Sequence, residues 1–187
     1  PEELLQGVKL GLAADPSISR LYVVGPPSVL EPLLLSTGCS DPRLAIHPAS
    51  EVLTMDDKPV QGLRKKKDCS ILRAVELVRD GKADAVISSG NTGGIVAAAT
   101  IRLRTLEGIE RPTIACIMPS KSGAWVLVDG GANPECTPEN LLQFAVMGSA
   151  YSRAMLGKQS PRVGVLSNGT EESKGTDLTR AALPLIR

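Results

Sequence analysis

Apolar positions in this chain fall into short runs that stop at turn residues and give way to segments with helical spacing. Residues 20–24, 83–88, 124–128 and 162–166 are apolar runs of strand length, each followed by a glycine-bearing or polar turn. That rhythm predicts strand–helix–strand units of a parallel sheet. Residues 113–117 form a fifth candidate strand, near enough to the Trp125 run to make a hairpin or an adjacent pair. Between the runs, Ser28 opens a short helix through Leu35 after Gly25-Pro26-Pro27. From Cys69 or Ser70 to Arg79, Ile71, Leu72, Val75 and Val78 share one face while Arg73, Glu76 and Arg79 point away, and Gly81 ends the helix. The longest helix starts at Thr137-Pro138-Glu139-Asn140, a capping hydroxyl followed by proline at the first helical position, and runs to about Leu156 before Gly157. An alanine-rich helix restarts after Gly94, and residues 181–186 look like the start of another. No repeat, low-complexity tract or linker divides the chain, so residues 1–187 read as one α/β domain.

Composition narrows the function classes. The 187 residues carry a formal net charge of +1, 42% hydrophobic and 2% aromatic side chains, which suits a globular chain and offers almost nothing for stacking nucleic-acid bases. Nucleic acid is therefore not an expected partner. No apolar run approaches the ~20 residues of a spanning helix, and no basic-then-hydrophobic leader opens the chain, so the reading is cytoplasmic. Residue 1 is proline rather than methionine and Arg187 follows an unfinished apolar helix, so the chain reads as a fragment. Cys39, Cys69, Cys116 and Cys136 lack Cys-x-x-Cys spacing and only His47 could join them, which predicts reduced thiols, no disulfide framework and no metal.

Candidate chemistry lies just beyond the carboxyl ends of the predicted strands, where open α/β sheets bind ligands. Three segments there are polar and rich in glycine: 88–94, 129–133 and 168–175. A helix N-terminus offers unpaired amides and a partial positive charge, so phosphate is a natural guest. Gly90, Gly93 and Gly94 would let it approach the backbone, with Ser89, Asn91 and Thr92 as side-chain donors; a purely steric role for these glycines is the plainer reading. The third segment adds a cation, Lys174, just before Gly175 and the candidate helix caps Thr176 and Asp177; a solvated lysine paired with Glu171 or Glu172 is the plainer alternative. Arg64, Lys65, Lys66 and Lys67 make four consecutive charges, read either as a solvated helix end or as a docking patch for an acidic partner.

Taken together, Arg64 to Lys67, Ser89-Gly90-Asn91-Thr92-Gly93, Gly108-Ile109-Glu110-Arg111-Pro112, Gly131-Ala132-Asn133, the stretch 147–152, and the pair 160–164 and 169–175 resemble one family in order and spacing. It is the bacterial acyl-acyl carrier protein:phosphate acyltransferases, the PlsX family. The resemblance implies a three-layer α/β/α fold with a mostly parallel sheet, related to the isocitrate and isopropylmalate dehydrogenases. It further implies a homodimer, no cofactor, and transfer of a fatty acyl group from acyl-acyl carrier protein to inorganic phosphate. The acyl phosphate would feed a membrane glycerol-3-phosphate acyltransferase in phospholipid synthesis, which places the protein in the cytoplasm with peripheral membrane association. By position, Lys174 matches the lysine to which the family's catalysis is tied. The family's glycine-rich N-terminal strand and its C-terminal portion, with an active-site asparagine, fall outside residues 1–187, so the chain is expected to be incomplete at both ends relative to the family.

Such a transfer needs neither a Ser-His-Asp triad nor a strong general acid, because phosphate is a competent nucleophile and a thioester expels a thiolate readily. The demand is to position phosphate and stabilise the oxyanion. Ser89 to Gly93 are expected to hold phosphate, with Asn133 and Thr170 as further donors, Lys174 neutralising charge, and Arg64 to Lys67 facing the acidic carrier protein. Direct transfer is favoured over an acyl-cysteine intermediate, since Cys116 falls in an apolar strand and reads as inert core, and Cys39, Cys69 and Cys136 have no histidine nearby in sequence. A nucleotide-dependent dehydrogenase on a related fold is the alternative enzyme, disfavoured by the lack of a dinucleotide fingerprint; a non-catalytic carrier-protein-binding module is the alternative from another class.

Overall fold

The structure is a computed structural model that describes residues 2–169, residue 171 and residues 174–187. It is a mixed α/β chain with two compact units, Pro1–Arg104 and Thr105–Arg187, taken in turn.

The first unit opens with α1 (Glu2–Ala14), followed by β1 (Leu21–Gly25), α2 (Pro27–Thr37) and β2 (Leu44–Pro48). The two strands pair in parallel from Leu21↔Leu44 to Gly25↔Pro48, with α2 as the crossover. Leu5, Val23 and Leu30 form its buried centre, with Leu21, Leu44 and Ile46 against them. Arg43 fastens α1 to this unit: its guanidinium donates to the carbonyls of Leu12, Asp15 and Ile18 while pairing with Asp41 at 2.8 Å. One spare carbonyl of the last turn of α1, that of Leu12, thereby gains a donor.

Three helices complete the unit: α3 (Pro59–Lys65), α4 (Ser70–Arg79) and α5 (Thr92–Leu103). Leu53, Leu63, Cys69, Ile71, Leu72, Val75 and Ala98 form a second core that joins them. The amphipathic spacing placed α4 correctly, but Glu76 does not point away. Its side chain is only 15% exposed, and its carboxylate accepts from Arg73 on its own helix and from Arg102 of α5 at 2.8 Å. This ion pair fixes α5 against α4 in the partly buried setting where removing one partner strands the other.

The second unit holds β3 (Ala115–Ser120), β4 (Gly123–Val128), α6 (Pro138–Leu156) and α7 (Asp177–Ile186). β3 and β4 form an antiparallel hairpin across Lys121-Ser122, from Ala115↔Val128 to Ser120↔Gly123. The expected fifth strand is thus real and makes the hairpin alternative. α6 starts as its sequence predicts: the Thr137 hydroxyl accepts from the Asn140 amide and the Asn140 side chain accepts from the Thr137 amide, a reciprocal cap. Gly148 lets α6 lie directly on β4, since a Cβ there would sit 2.8 Å from Val128 Cγ2. Phe144 and Ala182 are buried between the elements.

Two expected strands are not formed. Residues 83–88 and 162–166 have no regular secondary structure and join no ladder among the described residues. An apolar run becomes a strand only where another backbone supplies hydrogen bonds, and here Ile87 stands 94% exposed. Residues 161–166 and β4 line one open groove of about 780 Å³ rather than sharing a ladder. Among the described residues no helix is long and apolar enough to cross a membrane.

Candidate functional site

In the first unit the segment 88–94 leads directly into α5, and Asn91 is its N-cap. Asn91 Oδ1 accepts from the Gly94 amide at 2.8 Å, and the Asn91 carbonyl accepts from Ile95. The amides of Thr92 and Gly93 have no recorded hydrogen bond among the described residues, and Ser88, Ser89, Gly90, Thr92 and Gly93 are exposed. Helix N-termini present such amides to anions.

Asn91 itself has other work. It is 6% exposed, and its Nδ2 donates to the carbonyls of Thr54 at 3.1 Å, Met55 at 3.4 Å and Asp57 at 3.1 Å. The glycines after it are crowded as well. A Cβ on Gly93 would lie 2.7 Å from the Pro59 ring, and one on Gly94 would run into Leu53. Their missing side chains let α5 close on the segment that precedes α3, so the steric reading of these two glycines stands on geometry.

The basic run divides in the same way. Arg64, Lys65 and Lys67 are exposed at the end of α3. Lys66 turns inward, donating to the Asp57 carboxylate at 2.5 Å and to the Val52 carbonyl at 2.9 Å. Hydrogen bonds from Lys66 and from the Thr54 amide and hydroxyl hold the Asp57 carboxyl at about 2. Asp68, at the other side of the run, is held at about 2 by the Ser50 hydroxyl and amide and by Arg73. Both carboxyls are more acidic folded than unfolded, so their stabilisation is complete above about pH 4 and disappears as pH falls towards 2. Acid titration followed by hydrogen exchange should therefore show segment 50–68 opening between about pH 4 and 2. Protection that is flat across that window in the wild type would contradict this.

In the second unit, the segment after β4 is organised around Asp129. Its carboxylate accepts from the Thr113 hydroxyl, the Ile114 amide, the Asn133 amide and Asn133 Nδ2. Burial pushes the Asp129 carboxyl up, but these four hydrogen bonds outweigh it and keep the group below its ordinary value. Asn133 Nδ2 also donates to the Pro112 carbonyl at 2.8 Å. Both hydrogens of that amide are thus engaged, and what remains is an acceptor oxygen, the wrong polarity for phosphate. Gly130 turns past Cys116, whose sulfur would lie 2.8 Å from a Cβ.

Lys174 is exposed, on a loop closed by Asn168 Oδ1 accepting from the Gly175 amide at 2.9 Å. The Lys174 amide donates to the Glu171 carbonyl, and the lysine stem lies over Gly169. Thr176 caps α7 through its hydroxyl, as its position suggested, and Asp177 pairs with Arg180. Thr170, an expected donor, lies outside the described residues.

The cysteines offer no evident nucleophile. Cys69 is fully buried. Burial pushes the Cys136 thiol up, Asp129 adds to the effect, and Arg111 opposes it only in part. A thiol kept protonated is a poor acyl acceptor. Among the described residues no three histidine, cysteine, aspartate or glutamate side chains gather to hold a metal ion.

Asn91, Asp129 and Asn133 stand in the polar segments that the sequence singles out but are not separable there into ligand and scaffold, and Asp57 lies outside those segments. The signal that distinguishes them, carbonyls and amides converging from 15 to 37 residues away, exists only after folding.

Fold and loops define a mixed α/β chain that presents glycine-bearing polar segments at the starts of helices. The chain belongs to the fatty acid synthesis protein family, whose model matches residues 1–187. It is 43% identical over 187 residues to a phosphate acyltransferase of Akkermansia muciniphila, covering 100% of this chain and 54% of that protein. Against a phosphate acyltransferase of Pseudomonas fluorescens it is 46% identical over 188 residues, with 100% and 55% covered. A phosphate acyltransferase of an Exiguobacterium species shares 43% over 188 residues, with 100% and 56% covered. The chain spans about half the length of these curated relatives.

Proposed function

We propose that this chain serves transfer of a fatty acyl group from acyl-acyl carrier protein to inorganic phosphate, giving acyl phosphate for phospholipid synthesis. The observation that carries the reading is the match along all 187 residues to proteins named phosphate acyltransferase, with Lys174 exposed beside Gly175, whose amide donates to Asn168 Oδ1. A phosphate oxygen attacks the thioester carbonyl, the carbonyl oxygen takes the negative charge, and collapse of the tetrahedral intermediate expels the carrier thiolate. Lys174 neutralises charge on phosphate or on that oxyanion. In the first unit, the Thr92 and Gly93 amides and the Ser89 hydroxyl are the anion donors, with Asn91 holding the turn that presents them. Asn133 has the corresponding supporting task in its own loop.

Arg64, Lys65 and Lys67 are the part of the basic run left to meet an acidic carrier protein, chiefly by steering its approach. The parent fold in this reading is a three-layer α/β/α arrangement with a mostly parallel sheet. A homodimer, a cytoplasmic setting with peripheral membrane contact, and delivery of product to a membrane glycerol-3-phosphate acyltransferase belong to the same proposal. Incubating the protein with acyl-acyl carrier protein and phosphate, then trapping product with hydroxylamine, should yield phosphate-dependent acyl hydroxamate. No phosphate-dependent hydroxamate above the background that the thioester itself gives without protein, from a full-length homologous protein carrying this segment, would overturn it.

A further inference from the structure

We propose that Lys66, Asp57 and Asn91 are positioning residues that link the basic end of α3 to the first turn of α5. The links are continuous within the first unit. Lys66 Nζ donates to Asp57 Oδ2 at 2.5 Å. The same carboxylate oxygen accepts from the Thr54 amide at 2.7 Å and hydroxyl at 2.9 Å, which curls residues 54–57 into a closed turn. That turn aims the carbonyls of Thr54, Met55 and Asp57 at Asn91 Nδ2. Asn91 passes the constraint on through Oδ1, which accepts from the Gly94 amide. The Gly94 contact also fixes which end of the amide is oxygen, because only an acceptor can meet an N–H.

Two features make this a linkage rather than a set of separate contacts. An amide nitrogen has two hydrogens, and three carbonyls converge on it, so the turn is gathered about one atom and moves with it. The same segment also packs against the helix start, with Pro59 beside Gly93 and Leu53 beside Gly94. Polar and apolar contacts therefore restrain the same turn of α5 from the same side. Lys66 stands in a run whose other three members are exposed, so an acidic partner seated on Arg64, Lys65 and Lys67 competes with Asp57 for its ammonium. Releasing Asp57 loosens the 54–57 turn and, through Asn91, the orientation of the Thr92 and Gly93 amides. The consequence for phosphate rests on the proposed reading of residues 89–93 as anion donors; the linkage does not.

The test measures amide hydrogen exchange in the whole chain and, separately, titrates inorganic phosphate. Lys66→Met keeps the aliphatic stem and removes the ammonium, and Asp57→Asn weakens the acceptor from the other side. Both should speed exchange of the Gly94 amide tenfold or more while exchange in α6 stays unchanged, and the double variant should do little more than either alone, because the two residues act through one link. Lys66→Arg should restore most of the protection. In the phosphate arm the dissociation constant should rise several-fold in Lys66→Met and recover in Lys66→Arg. Unchanged Gly94 exchange in both single variants would overturn the linkage. Faster Gly94 exchange in the variants, together with no phosphate binding by the wild-type protein, would support the linkage and sink the reading of residues 89–93.

Discussion

Lys174→Ala is expected to lower acyl phosphate turnover by about a hundredfold or more, with little change in stability. The magnitude follows from the job assigned to the ammonium: a single donor to a developing oxyanion contributes on that order when it sits in a preorganised site. The separation from stability follows from exposure, since Lys174 stands outside both buried cores and its loop is held by backbone groups and Asn168 instead. The measurement is hydroxylamine trapping of acyl phosphate in a chain that has first been shown to make it, with thermal unfolding run in parallel. Near-wild-type turnover at normal stability would remove Lys174 from the chemistry. A fall in turnover matched by unfolding would place it in the scaffold. Lys174→Arg keeps charge but changes reach and geometry, so partial recovery is expected.

Phe144→Ala is expected to cost about 3–5 kcal/mol of the second unit's stability. Phe144 is 2% exposed and the largest fully buried side chain among the described residues. It sits on the α6 face that covers β4, one helical turn from Gly148 and two from Ser152, where there is no bulky side chain to fill the space it would leave. Trp125, the single tryptophan, lies on β4 in the same unit and reports the loss directly through fluorescence in a denaturant titration. A cost below about 1 kcal/mol would mean that α6 and β4 collapse onto the cavity and that the unit is looser than its packing implies.

Legibility of the sequence varied with the range of the interactions involved. α4 and α6 could be read because their determinants are local: an apolar face at helical spacing, a threonine–proline start and glycines at the exits. The β3–β4 hairpin could be read because its partners are neighbours in the chain. α1 was missed, since Gly7 and Gly11 lower its intrinsic propensity and its support comes from Leu5 and Leu12 being buried and from Arg43. β2 was missed because Leu44–Pro48 is short, ends in proline and is a strand only by virtue of pairing with β1. Residues 83–88 and 162–166 show the opposite error, strand-like sequence without a partner backbone. At the candidate site, glycine and asparagine in segment 88–94 were visible but their tasks were not. Whether a side-chain amide meets a ligand or a carbonyl 36 residues away is decided by tertiary folding alone.

The close seating of Gly148 on Val128 has a reach beyond the packing it permits. Val128 immediately precedes Asp129, so α6 rests at position 148 on the residue next to the carboxylate that accepts from the Thr113 hydroxyl and the Ile114 amide. A single added methyl on α6, as in Gly148→Ala, would press on the Val128 side chain, one peptide before the carboxylate around which the loop of residues 129–133 is organised.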